Sequence, residues 1–258
     1  MRRDYVDIRE GQLHYRHGGN GPAVICLHMS GSSSQEYDAI GDMLSGSFSV
    51  YAPDLLGFGG SDRPPRLYSL EEHAETVLEF MDALGIERAY LIGNLVGCNI
   101  AAHFAVHHPD RTLGLMLGQY CFDTDYRRFL SRHDDPCFLP ITPKADGSHL
   151  LEMWGRAARY PEPPEIIDAR ALCLHQAGDG GEYLHLALFS DRDFTEILPL
   201  IRVKTVVVAY GGFPECGNEV HVAGMIPGAV LDELPGATPY VTRSHPKAVA
   251  DMFTKHFC

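Results

Sequence analysis

Ala89-Tyr90-Leu91-Ile92-Gly93-Asn94-Leu95-Val96-Gly97-Cys98 carries an apolar segment into a glycine-framed turn and on into a helical segment. Ala89–Ile92 has the length and composition of a buried strand, and Cys98–His107 has helical spacing. Gly93 and Gly97 frame a turn of the G-x-S-x-G kind, a tight strand-to-helix bend that presents its central side chain at the top of a sheet. The central residue here is Leu95. Its side chain has no lone pair and no ionisable proton, so it cannot attack a carbonyl.

Strand and helix signals alternate on both sides of this turn. That predicts an α/β architecture, a mainly parallel eight-stranded sheet with helices on both faces. Tyr5–Ile8 and Gln12–Arg16 read as a hairpin around Glu10-Gly11, and Ala23–His28 as a buried strand. Tyr37–Leu44 reads as a short helix and Phe48–Ala52 as the next strand. Ser69 with Glu72 forms a capping-box pattern at the head of a helix. Leu113–Leu117, Thr205–Ala209 and Val230–Leu234 read as strands, and Ala248–Phe257 as the closing helix. Between residues 123 and 196 strand signals stop. Prolines cluster at 136, 140, 143 and 161–164, with helical stretches at Leu150–Ala158 and Glu182–Phe189. The expected organisation is a core of residues 1–122 and 197–258, with a helical cap, 123–196, inserted after the sixth strand. Such a cap lies over the carboxyl ends of the strands, where open α/β sheets bind ligands.

A chain of 258 residues, 45% hydrophobic and 21% charged, suits a globular protein with a sizeable core. Its net charge of −13 argues against nucleic acid or anionic membrane as a partner. No apolar run reaches the length of a membrane span, and Met1-Arg2-Arg3-Asp4 opens no signal peptide. Seven cysteines without a CxxC spacing fit free thiols in a reducing cytoplasm. Gly57, Gly59 and Gly60 make no P-loop, and His107-His108-Pro109-Asp110 makes no metal site, so neither cofactor nor metal is expected. The expected partner is a small-molecule substrate, and the composition is compatible with a homodimer.

Two further motifs precede this turn along the chain. His28-Met29-Ser30-Gly31 is similar to a His-Gly oxyanion loop. Asp54-Leu55-Leu56-Gly57-Phe58-Gly59-Gly60-Ser61-Asp62 is similar to a D-x-x-G-x-G-x-S turn. The glycine-framed turn at Leu95 follows. With these motifs the chain resembles the alpha/beta-hydrolase superfamily, in its epoxide hydrolase- and haloperoxidase-like branch, over nearly its whole length. The Asp146–Leu151 stretch with Trp154 also looks like uncharacterised bacterial members whose turn lacks serine. The resemblance places a nucleophile at Leu95. It places an acid at Phe213 or Pro214, after Tyr210-Gly211-Gly212, and a histidine at Pro239, within Leu234-Pro235-Gly236-Ala237-Thr238-Pro239-Tyr240. The triad stations are thus Leu95, Phe213 and Pro239, all apolar, and serine-hydrolase chemistry is denied.

The resemblance also implies backbone oxyanion donors at Val96 and at Met29 or Ser30, which stabilise negative charge whichever group attacks. Candidate acid–base groups are His149 in the cap, Tyr120 and Asp123 after the sixth strand and, more weakly, His185. Asp125 shares the place of Asp123. Asn94, Leu95, Trp154, His185, Phe213, Pro239 and Tyr240 are expected to line the pocket. His28 is expected as a structural hydrogen-bonder, and Cys98 and Cys121 as buried thiols. The favoured reading is a non-hydrolytic enzyme, a lyase, cyclase or isomerase acting on an apolar or polyketide-like small molecule. The alternatives are a hydrolase that activates water directly or uses an unrecognised nucleophile, and a non-catalytic binding protein.

Overall fold

A computed structural model describes residues 1–120, 141–190, 194–212 and 219–258. Asp123, Asp125, Cys121, Phe213 and Pro214, and the expected core–cap boundary near residue 122, lie outside the described residues. Eight strands form one sheet: β1 (Arg2–Ile8), β2 (Gly11–Gly18), β3 (Ala23–Leu27), β4 (Ser49–Pro53), β5 (Ala89–Asn94), β6 (Thr112–Gly118), β7 (Thr205–Tyr210) and β8 (Val230–Leu234). Their order is β1-β2-β4-β3-β5-β6-β7-β8. β1 and β2 pair antiparallel, as do β2 and β4, and the remaining pairs are parallel. This is the expected mainly parallel sheet.

Burial explains the pattern. Val24, Ile25, Cys26 and Leu27 of β3 are all fully buried, as a strand covered on both faces must be. Charged β1 forms one edge, where Arg2, Arg3 and Asp4 are exposed and oppose pairing with another chain. Helix α1 (Asp38–Leu44) and the closing α10 (Pro246–Phe257) pack together, and their buried residues share an apolar cluster with Val24, Val50 and Val206. Helices α2 (Leu70–Ala83) and α3 (Val96–His107) share the other cluster, with Ile25, Leu91 and Val207. The capping box at α2 is formed: Glu72 N–H donates to Ser69 Oγ at 3.1 Å and Ser69 N–H to Glu72 Oε2 at 3.0 Å. Such a cap contributes about 1 kcal/mol.

Between β6 and β7 lie four described helices, α4 (Ser148–Ala157), α5 (Pro164–Ala177), α6 (Gly180–Ser190) and α7 (Phe194–Ile197). α4 and α6 fall where helical stretches were read. α5 was not expected, because its proline cluster reads as a breaker. Pro164 instead occupies the first helical turn, where its missing N–H costs nothing, and Glu165 complements the helix dipole there. Helix α8 (Glu219–Met225) follows β7, and α9 (Val241–Ser244) precedes α10. Gln176 of α5 donates to Gly59 O at 2.5 Å, and Gly180 of α6 meets Gly57 so closely that a Cβ there would stand 2.4 Å from Gly57 O. These helices therefore lie against the loop that leaves the carboxyl end of β4.

Candidate active site

Leu95 joins β5 to α3 with φ 51° and ψ −118°, a left-handed conformation that a leucine adopts only under constraint. The constraint is visible. Leu95 N–H donates to Gly118 O at 2.9 Å, and Leu95 O accepts from Cys98 N–H at 2.8 Å. The framing glycines are steric necessities: a Cβ at Gly93 would lie 2.6 Å from Cys98 N, and one at Gly97 would lie 2.2 Å from Leu27 O. The turn thus keeps its strained geometry around a side chain that cannot act as a nucleophile. Half-buried Leu95 packs against the cluster that holds Ile92, Val208 and Val241.

Beneath the turn lies a buried polar network that the sequence reading missed. Asn94 Nδ2 donates to Glu36 Oε1 at 2.5 Å and to Pro239 O at 3.1 Å, and Tyr210 Oη donates to Asn94 Oδ1 at 3.2 Å. Gly118 makes room for that phenol, since a Cβ there would stand 2.0 Å from Tyr210 Oη. Burial pushes the Tyr210 hydroxyl well above its ordinary pKa, so it stays a donor. Pro239 O therefore lies beside Asn94, the residue before the turn. Met29 N–H donates to Glu36 Oε2 at 3.4 Å. Val96 N–H heads α3, where the first N–H groups have no intrahelical acceptor.

The preceding loops are held by two buried groups. His28 Nε2 accepts from Leu55 N–H at 3.0 Å, which leaves Nδ1 to donate to Met29 O at 2.8 Å. Burial lowers the His28 pKa and keeps the ring neutral in this structural role. Asp54 accepts from Ser34 N–H at 2.5 Å, Gly60 N–H at 2.8 Å and His14 Nδ1 at 2.8 Å. Gly59 must be glycine, because at φ 53° a Cβ would fall 1.9 Å from Asp54 Oδ2.

The two histidines between β6 and β7 have different surroundings. His149, the first choice for acid–base work, accepts at Nδ1 from Lys144 N–H at 3.1 Å within its own turn, with His175 6.2 Å away, and no described contact ties it to the Leu95 turn. His185, the weaker choice, has Nδ1 3.4 Å from Ser30 Oγ on the oxyanion loop, and Ser30 Oγ also donates to Gly181 O at 3.2 Å. Burial pushes His185 down to about 4, so it is neutral at pH 7. Trp154 is half-buried on α4. Tyr120 is fully buried in the α2–α3 cluster. Tyr240 Oη donates to Ala157 O at 2.9 Å, and its ring meets Tyr160 edge-on at 5.7 Å, so it ties α4 to the core beside Pro239. Cys98 donates to Gly118 O at 3.2 Å, and burial raises its thiol pKa well above the ordinary value, which denies it a thiolate role. Among the described residues no cluster of histidine, cysteine or carboxylate side chains fits a metal ion, and no helix is long and apolar enough to cross a membrane.

Residues 17–124 match the model of the alpha/beta hydrolase fold family. The Mycobacterium tuberculosis protein named haloalkane dehalogenase 2 is 37% identical over 119 residues, 46% of this chain and 42% of that one. The 2-hydroxy-6-oxo-6-phenylhexa-2,4-dienoate hydrolase of Comamonas testosteroni is 38% identical over 120 residues, 43% of this chain and 40% of that one. The matched stretch thus spans less than half the length of these curated relatives. The enol-lactonase of Burkholderia xenovorans LB400 superposes over 98% of this chain and 99% of its own, with TM-score 0.80 and 21% identity, a likeness of fold. By topology, by the turn at Leu95 and by these matches, the chain has the alpha/beta hydrolase fold. The relatives named are enzymes, one a dehalogenase and one a hydrolase.

Proposed function

We propose that this chain is a non-hydrolytic enzyme, a lyase, cyclase or isomerase that holds an apolar or polyketide-like small molecule between the Leu95 turn and a cap formed by residues 123–196. The observation that carries this reading is Leu95 itself, a strained turn kept intact around a side chain without nucleophilic atoms. Substrate shape is set by Leu95, Pro239 and Tyr240. Val96 N–H and Ser30 N–H receive an oxygen that gains negative charge as bonds rearrange. The neutral His185 ring, beside Ser30 Oγ, takes or gives the proton in place of His149. Tyr120 and Asp123 are the further acid–base candidates of this reading, and Phe213 a proposed lining group. Holding a reactive conformer lowers a barrier by several kcal/mol, about what one well-oriented reaction gains from positioning.

The names of the relatives favour a second reading, in which a bound water is the nucleophile and the reaction is hydrolytic. One experiment separates the two. A panel of activated esters and haloalkanes is offered to the purified protein, alongside a fluorophosphonate probe. The non-hydrolytic reading expects neither turnover above background nor labelling. Reproducible turnover of any member, lost when His185 is replaced by Phe, would establish the hydrolytic reading instead.

A further inference from the structure

We infer that Arg170 is the recognition residue for a carboxylate on the molecule this site takes. The inference deepens the proposed function by naming a substrate class, and it relies on that reading only for the location of the ligand. Arg170 projects from α5 to the oxyanion loop, where Nη2 donates to Ser30 O at 2.8 Å. Its Nε and Nη1 are covered by protein and have no hydrogen-bond partner among the described residues. Covered guanidinium donors without acceptors are costly, and a charge held this way without a counter-ion is costlier still. No carboxylate pairs with Arg170 among the described residues, in a chain with 34 acidic side chains to 21 basic ones.

The loop is shaped to receive this side chain. Gly31 has φ 65°, and a Cβ there would lie 3.2 Å from Arg170 Nη1 and 2.6 Å from Leu174 Cδ2. The Tyr240 ring, which ties the insertion to the Pro239 station, lies 6.0 Å from the guanidinium carbon. Arg243 adds to the positive field at the same loop: its Nη2 points to Cys173 Sγ at 3.7 Å, and that thiol stands 3.6 Å from Ser33 Oγ. Neutral His185 offers no competing charge. An organic carboxylate presents two oxygens in one plane to Nε and Nη2, which share one edge of the guanidinium, and leaves Nη1 beside it. Binding in this way requires that α5 lift from the loop and that the Ser30 carbonyl give up Nη2.

The test is calorimetric titration of the full chain at pH 7.5 and low salt, with benzoate and phenylacetate against benzamide and phenylacetamide. Inorganic phosphate and bromide serve as competing anions. The wild-type protein is expected to prefer each acid over its amide at least tenfold. Arg170→Met is expected to abolish that preference and Arg170→Lys to reduce it at least threefold, whereas Arg243→Met weakens it only a fewfold. Where Arg170→Met does not fold by circular dichroism, Arg170→Lys is read together with NMR of arginine Nε–H groups. Benzoate should then shift one such resonance that Arg170→Lys lacks. Equal affinity for acid and amide, tighter binding of phosphate or bromide than of benzoate, or an unchanged preference in the Arg170 variants overturns the inference. Ester turnover with the acid preference intact sinks the non-hydrolytic reading and leaves Arg170 standing. A neutral ligand seated over Leu95 without acid preference does the reverse.

Discussion

Asn94 donates to the Glu36 carboxylate at 2.5 Å across 58 positions of sequence, tying the first turn after the oxyanion loop to the residue before Leu95. Glu36 is 1% exposed and Asn94 fully buried, so the pair is sealed from water. Removing one partner leaves the other buried and unsatisfied, whereas an amide in place of the carboxylate keeps the shape. Glu36→Ala is expected to lower unfolding stability by roughly 3 kcal/mol, and Glu36→Gln by less. Urea denaturation of both variants checks this, and an equal loss in the two would show that the carboxylate itself, and not the shape that an amide keeps, is what matters at Glu36.

The Leu95 turn makes a second, inverted expectation. Replacing a packed leucine by glycine ordinarily costs several kcal/mol, but glycine relieves a left-handed backbone strain of about 1–3 kcal/mol. Leu95→Gly is therefore expected to be near neutral. Gly97→Ala is expected to be severely destabilising, because the new Cβ would sit 2.2 Å from the backbone oxygen of Leu27. Thermal melting of the two variants decides. A Leu95→Gly loss as large as that of an ordinary core truncation would deny that the turn is strained.

The same residues show what the chain discloses before it folds. The turn at Leu95, the paired glycines and the strand pattern are local, so spacing alone reveals them. The capping box at Ser69 and Glu72 is local too. Glu36 and Arg170 act through partners 58 and 140 positions away, and neither carries a local signal that separates it from a solvated charge. Arg170 was hidden further because its helix opens on prolines that read as a breaker, although Pro164 stands where a helix tolerates it. His149 and His185 look alike in sequence. Only the packing of α6 on the oxyanion loop distinguishes them.

Acid should destabilise this protein from near neutrality. Burial pushes His73 and His185 each to about 4, and lowers His28, against an ordinary value of 6.5. The unfolded chain therefore binds protons that the folded chain refuses. The stability is fully present above 6.5 and is lost as pH falls toward 4. For His73, only 3% exposed, the term approaches about 3 kcal/mol. Burial works to raise Asp54, but hydrogen bonds from His14, Gly60 and Ser34 hold it below the ordinary carboxylate value, which extends the loss further into acid. Urea midpoints between pH 7.5 and pH 4.5 should fall, and His73→Phe should flatten the slope. A slope unchanged in that variant would place the acid sensitivity elsewhere.

Glu219 carries the opposite sign. At the head of α8 it is 5% exposed with Oε1 covered and unpartnered, and burial pushes its carboxyl from 4.5 up to about 7. The folded state thus holds a proton that the unfolded chain releases above 4.5. The stabilising contribution is complete below 4.5 and is lost as pH rises through 7, by up to about 3 kcal/mol. Glu219→Gln fixes the neutral form with nearly the same shape. At pH 4.5 it should melt with the wild-type protein, and at pH 8 it should be the more stable of the two. The difference between the two proteins should grow across that interval with a midpoint between 4.5 and 7. A constant offset at every pH would mean that the amide repacks the site and that the carboxyl does not titrate there at all.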